Sequence, residues 1–482
     1  LAEGGRRPLT SAAVYAVAAA AQRALSLLLL PLYTRALTPA EYGDLSVILS
    51  FSTAAVILLA LGLDYALWRN YFALENDPYA QLNLIWSAWV VTIISAVAGT
   101  VLFSIAALLF LGGTRIEPID AVLGIASSGM LVIATTVPMT VLRAEQRLRD
   151  FLTLTAVSAA TTATFTVCAV LLLDLGIHGW LVAALLANTF VAVAAAIIVP
   201  FRRPDPMDWP RVRSSLRLGM PLMPHFVSHW ALQLADRLAL TTLVSASLVG
   251  VYSLTANLSL PALIAVQSLN QGFMPMYARA AHRSDDRAGI RAVATNQLLL
   301  TSGVCLLCAI ILPPVVTVVA PPEYSTGASI LPWLVLGYAF VGAYSIPMNG
   351  LTLVLGKTSF VWVTTAFCAG LNLALIYLFV PDHGLQAAAI ASAVAYLALL
   401  IGMTLYAWHH GSPVTLDMRR VVPGLAAIGC TYVVIALLTP ERGWTALLIR
   451  GGIVAICIAI GGAAILSRRR RLVVDPVVDP VS

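Results

Sequence analysis

LTPAEYGDLSVILS, residues 37–50, returns as VSASLVGVYSLTAN at residues 244–257, with Gly43 against Gly250 and Ser46 against Ser253. GIHGWLVAALLA (176–187) returns in the same way as PDHGLQAAAIAS (381–392), with His178-Gly179 against His383-Gly384. The offsets are 207 and 205, so both matches belong to one internal repeat. The chain around them is strongly apolar: of 482 residues, 60% are hydrophobic and 10% charged. A soluble domain carries about 25% charged residues, so this composition specifies a polytopic membrane protein.

A membrane-crossing helix needs about 20 mostly apolar residues. Fourteen segments qualify, near 11–34, 44–68, 82–111, 119–142, 151–174, 179–200, 217–243, 247–273, 292–319, 327–353, 359–380, 384–408, 418–438 and 445–467. The first is too long for a cleaved leader and reads as a span. Basic residues test the count. One set of alternate connections holds 22 of the 28, and the opposite set only Arg35, Arg115 and Arg442. Positive charge concentrates on the cytoplasmic side, so both termini are expected there.

Each repeat contains six spans, an even number. The two copies therefore share an orientation, related by a pseudo-two-fold axis along the membrane normal. The expected fold is an all-α membrane protein of about 14 helices: two six-helix lobes and a C-terminal helix pair. The expected divisions are an N-terminal lobe at 1–200, a cytoplasmic linker at 201–216, a C-terminal lobe at 217–410, and two further spans with a basic tail at 411–482.

Several function classes drop out. Net charge is +6, and 27 of 28 basic residues are arginine. They are distributed by topology rather than in a patch, so no nucleic-acid partner is expected. Cys305 and Cys308 form a C-x-x-C, but inside an apolar span with no His or carboxylate near them. They read as small packed side chains. Loops are too short for a separate catalytic domain.

Polar residues inside the spans carry the functional information. A central arginine costs about 2.5–3.5 kcal/mol on insertion scales, yet the first span holds Gln22 and Arg23. In the seventh, His225, His229, Gln233 and Asp236 are spaced by four, four and three, which puts them on one helical face with Arg237 at its edge. The eighth carries Asn257, Gln267, Asn270 and Gln271, and the second ends in LGLDYALWRNY (61–71) with Asp64 and Arg69. Polar stripes are disfavoured against lipid, so a central cationic cavity is expected, with Arg23 and Arg237 facing across it. A plainer reading stays open for each. Asp236, Arg237 and Arg23 could pair as struts, and the asparagines could join helices. His225 and His229 have metal-pair spacing but no third ligand, so no metal is expected.

PLYTRALTPAEYGDLSVILS (31–50) followed by LALGLDYALWRNYF (59–72) resembles the N-terminal signature of the Wzx-type polysaccharide flippases. Their superfamily also holds lipid II flippases and multidrug-and-toxin-extrusion antiporters. LRLGMPLMP (216–224), ADRLALTTLVSASLVGVYSLTANL (235–258) and PPEYSTGASILPWL (321–334) match the same family in the second half. The resemblance spans nearly the whole chain and contains no catalytic motif.

It implies a non-enzymatic alternating-access transporter in the bacterial plasma membrane. The cargo would be a polyprenyl-diphosphate oligosaccharide moved to the outer leaflet for cell-surface polysaccharide assembly. Membrane lipids and a polysaccharide polymerase are the implied partners. Arginine suits a diphosphate through forked hydrogen bonds, so Arg23 and Arg237 become diphosphate candidates, with Arg69 guiding entry. Gln22, His225, His229, Asn257, Asn270 and Gln271 are candidates for diphosphate or sugar hydroxyls, and Asp236 or Asp64 for orienting or ion coupling. No cofactor is expected; H+, Na+ and the membrane potential are alternative driving forces. A cation-coupled drug exporter would need more carboxylates in its spans, and a polyprenyl-linked glycosyltransferase or ligase would need larger outward loops.

Overall fold

The computed structural model describes residues 29–74, 76–112, 115–199, 207–281, 287–355, 361–440 and 443–457. They are almost wholly helical, and no strand occurs among them. After a helical stretch at 29–36 come α1 (Pro39–Leu59), α2 (Leu63–Ala73), α3 (Pro78–Leu111), α4 (Pro118–Ala144), α5 (Leu148–Val167) and α6 (Gly176–Ile198). Then follow α7 (Trp209–Gly219), α8 (Met223–Leu243), α9 (Ala246–Ala281), α10 (Arg287–Val319), α11 (Leu331–Asn349), α12 (Val361–His409) and α13 (Met418–Leu438). A shorter apolar helix, α14 (Gly443–Cys457), ends the described chain. Ten helical stretches among the described residues are long and apolar enough to cross a membrane. The chain is an all-α multi-pass membrane protein.

Local chemistry sets the helix starts. Pro39, Pro78 and Pro118 open α1, α3 and α4, where the missing N–H costs nothing. Thr38 and Glu41 close a capping box on α1. Inside the helices, hydroxyls donate back one turn, as from Ser46 to Tyr42 O and from Thr140 to Thr136 O. A hydroxyl with no water to bond is thereby satisfied.

Three expectations are corrected. The span at 44–68 is interrupted: α1 ends at Leu59, and α2 begins after Gly62 at φ +63°. A Cβ on Gly62 would lie 2.7 Å from the Gly219 carbonyl oxygen, so the turn requires glycine. Asp64 and Arg69 therefore sit on a separate short helix. The seventh span is also divided, into α7, a tight turn at Met220–Leu222 and α8. Residues 209–219, expected partly in the cytoplasmic linker at 201–216 and partly in the seventh span, form the amphipathic α7, capped by the Asp208 side chain accepting from Arg211 N. The two spans expected at 359–380 and 384–408 meet within Val361–His409 at a kink at Gly384, whose φ of +62° departs from helix.

The contacts divide into two compact units. One comprises residues up to 257 with 358–395, and the other 258–357 with residues from 396 onward. In the first, Leu67, Leu84, Ala88, Val137, Leu154 and Val191 pack into one buried apolar cluster. In the second, Ala294, Leu298, Ala343, Ile346 and Val421 do so. Large apolar side chains such as Ile94, Leu102, Leu109 and Leu437 stay exposed. In a lipid solvent that is their ordinary place, because helix packing has no apolar burial to gain there.

Candidate functional site

The first unit holds the repeat's key junction. Helix stops at residue 36 and restarts at 39 in one copy, and stops at 243 and restarts at 246 in the other. The Thr38 hydroxyl accepts from Glu41 N at 3.3 Å, and the Ser245 hydroxyl accepts from Leu248 N at 3.4 Å. Every one of these positions keeps the 207-residue offset.

Just beyond the junction α1 and α9 cross at Gly43 and Gly250. A Cβ on Gly43 would strike the Ala246 carbonyl and lie 2.9 Å from Gly250 N. A Cβ on Gly250 would strike the Pro39 carbonyl and lie 3.1 Å from Gly43 N. The contact maps onto itself under the repeat. Two equivalent helices touch backbone to backbone, which only glycine allows.

A buried polar chain runs from this crossing. On α8, Asp236 and Arg237 are each only 5% exposed. Tyr252 of α9 donates its phenol to Asp236 Oδ2 at 2.6 Å. Arg237 backbone N donates to Asp236 Oδ1 at 2.8 Å, while its Nη1 lies 3.8 Å from that oxygen. Its guanidinium donates to Asn257 Oδ1 at 3.3 Å and to Gln233 O at 3.4 Å. Asn257 Nδ2 in turn donates to Tyr42 Oη of α1 at 2.9 Å. The charges cancel within the network, as burial requires.

The stripe continues up α8. Gln233 Nε2 lies 3.0 Å from His229 Nε2, and the His229 ring stacks on His225 with centroids 6.4 Å apart. His225 Nδ1 is buried without a partner among the described residues. On another side of the helix, Trp230 Nε1 donates to Ser50 O at 3.0 Å and ties α8 to α1. No cluster of three or more metal-ligating side chains occurs among the described residues.

The structure thus joins Arg237, Asp236, Asn257, Gln233, His229 and His225 into one line. Gln22 and Arg23 lie outside the described residues. Carried back along the sequence, the 207 offset sets Arg23 against Trp230 and Arg237 against Leu30. Arg69 lies on α2, and Asp64 is exposed in that helix's first turn. Asn270 belongs to a separate network in the second unit. Its Oδ1 accepts from Gln297 Nε2 at 2.9 Å and from Asn349 Nδ2 at 2.8 Å. Gln297 also donates to Ser345 and accepts from Tyr277. Gln271 is exposed. Sequence reasoning missed Tyr42, Tyr252, Gln297 and Ser345. Tyr252 and Ser345 stand in apolar runs, and Tyr42 and Gln297 lie near helix starts among other polar residues, so none stands out until its partner is seen.

The model for a family described as "Polysaccharide biosynthesis protein" matches residues 9–280, more than half of the chain. The chain belongs to this family. No relative matches among curated proteins. Solved structures resemble the chain over most of its length. A lipid II flippase MurJ in an inward closed conformation is 13% identical with a TM-score of 0.76, covering 94% of this chain and 99% of its own. An inward-facing multidrug resistance MATE transporter of the MOP superfamily is 15% identical with a TM-score of 0.64, covering 85% and 96%. A mutant form of the Vibrio cholerae MATE transporter VcmN is 17% identical with a TM-score of 0.53, covering 80% and 93%. At these identities the likeness establishes the fold, which the chain shares with these MurJ and MATE structures.

Proposed function

We propose that this protein is a flippase. It carries a polyprenyl-diphosphate-linked oligosaccharide from the cytoplasmic to the outer leaflet of a bacterial plasma membrane by alternating access. Both termini are cytoplasmic, and the product feeds cell-surface polysaccharide assembly.

The observation that carries this reading is the state of the Arg237 guanidinium. It is buried, yet among the described residues its hydrogen bonds are two long ones, at 3.3 and 3.4 Å, for five N–H donors. Charge-assisted bonds run about 2.7–2.9 Å, so the cation is neutralised by Asp236 but poorly saturated. Asp236 is held firmly by Tyr252 and by the Arg237 backbone. An arriving diphosphate replaces the weak Asn257 contact and leaves the carboxylate anchored. Gln233 and His229 lie one and two turns away on the same face, suited to sugar hydroxyls. Arg23 supplies the second cation, and Arg69 guides entry.

A cation exporter needs a carboxylate free to receive its cargo, and Asp236 is occupied. The membrane potential is the favoured driving force. Moving one negative charge outward, down an inside-negative potential, releases about 2.3 kcal/mol per 100 mV. Coupling through H+ or Na+ at Asp236 or the histidines is the rival scheme.

The test is flipping of a fluorescent polyprenyl-diphosphate oligosaccharide in proteoliposomes, with headgroup access read from outside. Arg237→Ala and Arg23→Ala each abolish flipping in folded protein, and Arg237→Lys leaves a small remainder because it keeps charge but loses the fork. Collapsing the potential slows the native rate. Normal flipping by both alanine variants would sink the assignment, and a rate set only by a pH or Na+ gradient would favour the rival coupling.

A further inference from the structure

The short helix α7 presents two faces. Val212, Ser215 and Gly219 are buried. Val212 joins Leu63 and Val91 in a small core, Ser215 accepts from Asn70 Nδ2 at 2.7 Å, and Gly219 meets the backbone of Gly62. Asp208, just before the helix, donates its backbone N–H to Ser87 on α3. The helix is therefore fastened along one side.

Trp209, Arg213, Arg217 and Met220 are spaced by four, four and three and share another face. All four are exposed, Trp209 by 55% and Met220 by 54%. Arg211 is engaged by Asp208. Arg213 and Arg217 meet no carboxylate among the described residues. Two guanidinium groups without a counter-charge there stand between an indole and a thioether, on a helix that enters α8 through one tight turn. Tryptophan favours the membrane–water boundary, and arginine recognises phosphate by its planar fork.

We propose that this face of α7 is a docking surface for anionic phospholipid headgroups. Arg213 and Arg217 hold the phosphates, while Trp209 and Met220 enter the acyl boundary. Docking fixes the base of the helix that carries the polar stripe. The surface acts in this way whatever substrate is carried.

The test titrates full-length protein in neutral detergent with phosphatidylglycerol or phosphatidylcholine and follows the melting temperature. Phosphatidylglycerol raises it, phosphatidylcholine does not, and salt weakens the effect. Removing each charge shifts the required phosphatidylglycerol about fivefold upward, so R213Q and R217Q together shift it about 25-fold, while R213K and R217K shift it far less. Should the double glutamine variant fail to fold, the single variants read the same fivefold steps. An unchanged titration in the glutamine variants, or an equal response to phosphatidylcholine, would overturn the proposal. So would an equal response to inorganic pyrophosphate without lipid, which would mark a soluble-anion site.

Discussion

Gly43→Ala places a methyl group where α1 and α9 touch. Helix propensity alone makes this change favourable, by about 0.5–1 kcal/mol for a glycine inside a helix. The crossing opposes it. The new Cβ strikes the Ala246 carbonyl and lies 2.9 Å from Gly250 N. Ordinary contact begins at 3.4 Å, and the obstacle is backbone rather than a flexible side-chain end. The helices must separate by roughly 1 Å, or the strain must be stored, and overpacking of this kind costs about 1–3 kcal/mol. The net expectation is a loss of about 1–2 kcal/mol, opposite in sign to propensity.

Gly250→Ala meets Pro39 in the same way and is expected to cost as much. Because one separation accommodates both methyls, the double variant costs little more than either single one, which is a measurable departure from additivity. Separation by about 1 Å also takes the 2.9 Å Asn257–Tyr42 bond beyond hydrogen-bonding range. Reversible denaturation in mixed micelles gives the three free energies. Two neutral or stabilising single variants, or a strictly additive pair, would refute the backbone-to-backbone crossing.

Three further outcomes follow from buried partners. Tyr252→Phe removes the 2.6 Å donor to Asp236 and is expected to cost about 1.5–3 kcal/mol in the same denaturation assay, the range for a hydrogen bond to a buried charge. Arg450, buried with no carboxylate partner among the described residues, bonds Thr439 and the Ile310 carbonyl, which is left without its helical partner because Pro314 has no N–H to offer it. Arg450→Ala is expected to lose about 2 kcal/mol, and a double-mutant cycle with Pro314→Ala, which restores that N–H, should shrink the loss. Gln297→Leu leaves Tyr277, Asn270 and Ser345 each short of a partner and is expected to lower the melting temperature clearly. Its neighbour Asn296 is exposed and bonds Arg420, so Asn296→Leu should change it little.

Much of this protein was legible in the linear chain. Apolar segments about 20 residues long have one way to cross lipid, because a helix satisfies its backbone internally. Length and composition therefore located most helices to within a few residues. The 207-residue repeat was equally visible, and it marked Gly43 and Gly250 as equivalents. The stripe from His225 to Arg237 followed from helical spacing alone.

What the chain could not reveal depends on approach between distant segments. The break after Leu59 arises where Gly62 meets Gly219, and nothing in LALGLDY alone demands it. For Arg237 the sequence left two readings open, a diphosphate ligand and a strut paired with Asp236. Its state comes from Asp236, from Asn257, and through them from Tyr252 and Tyr42, on two other helices. Periodicity reports which side chains share a face of one helix. Hydrogen bonding and steric exclusion act between faces over about 3 Å, so only the packed helices decide which polar groups are already satisfied and which still have donors to offer.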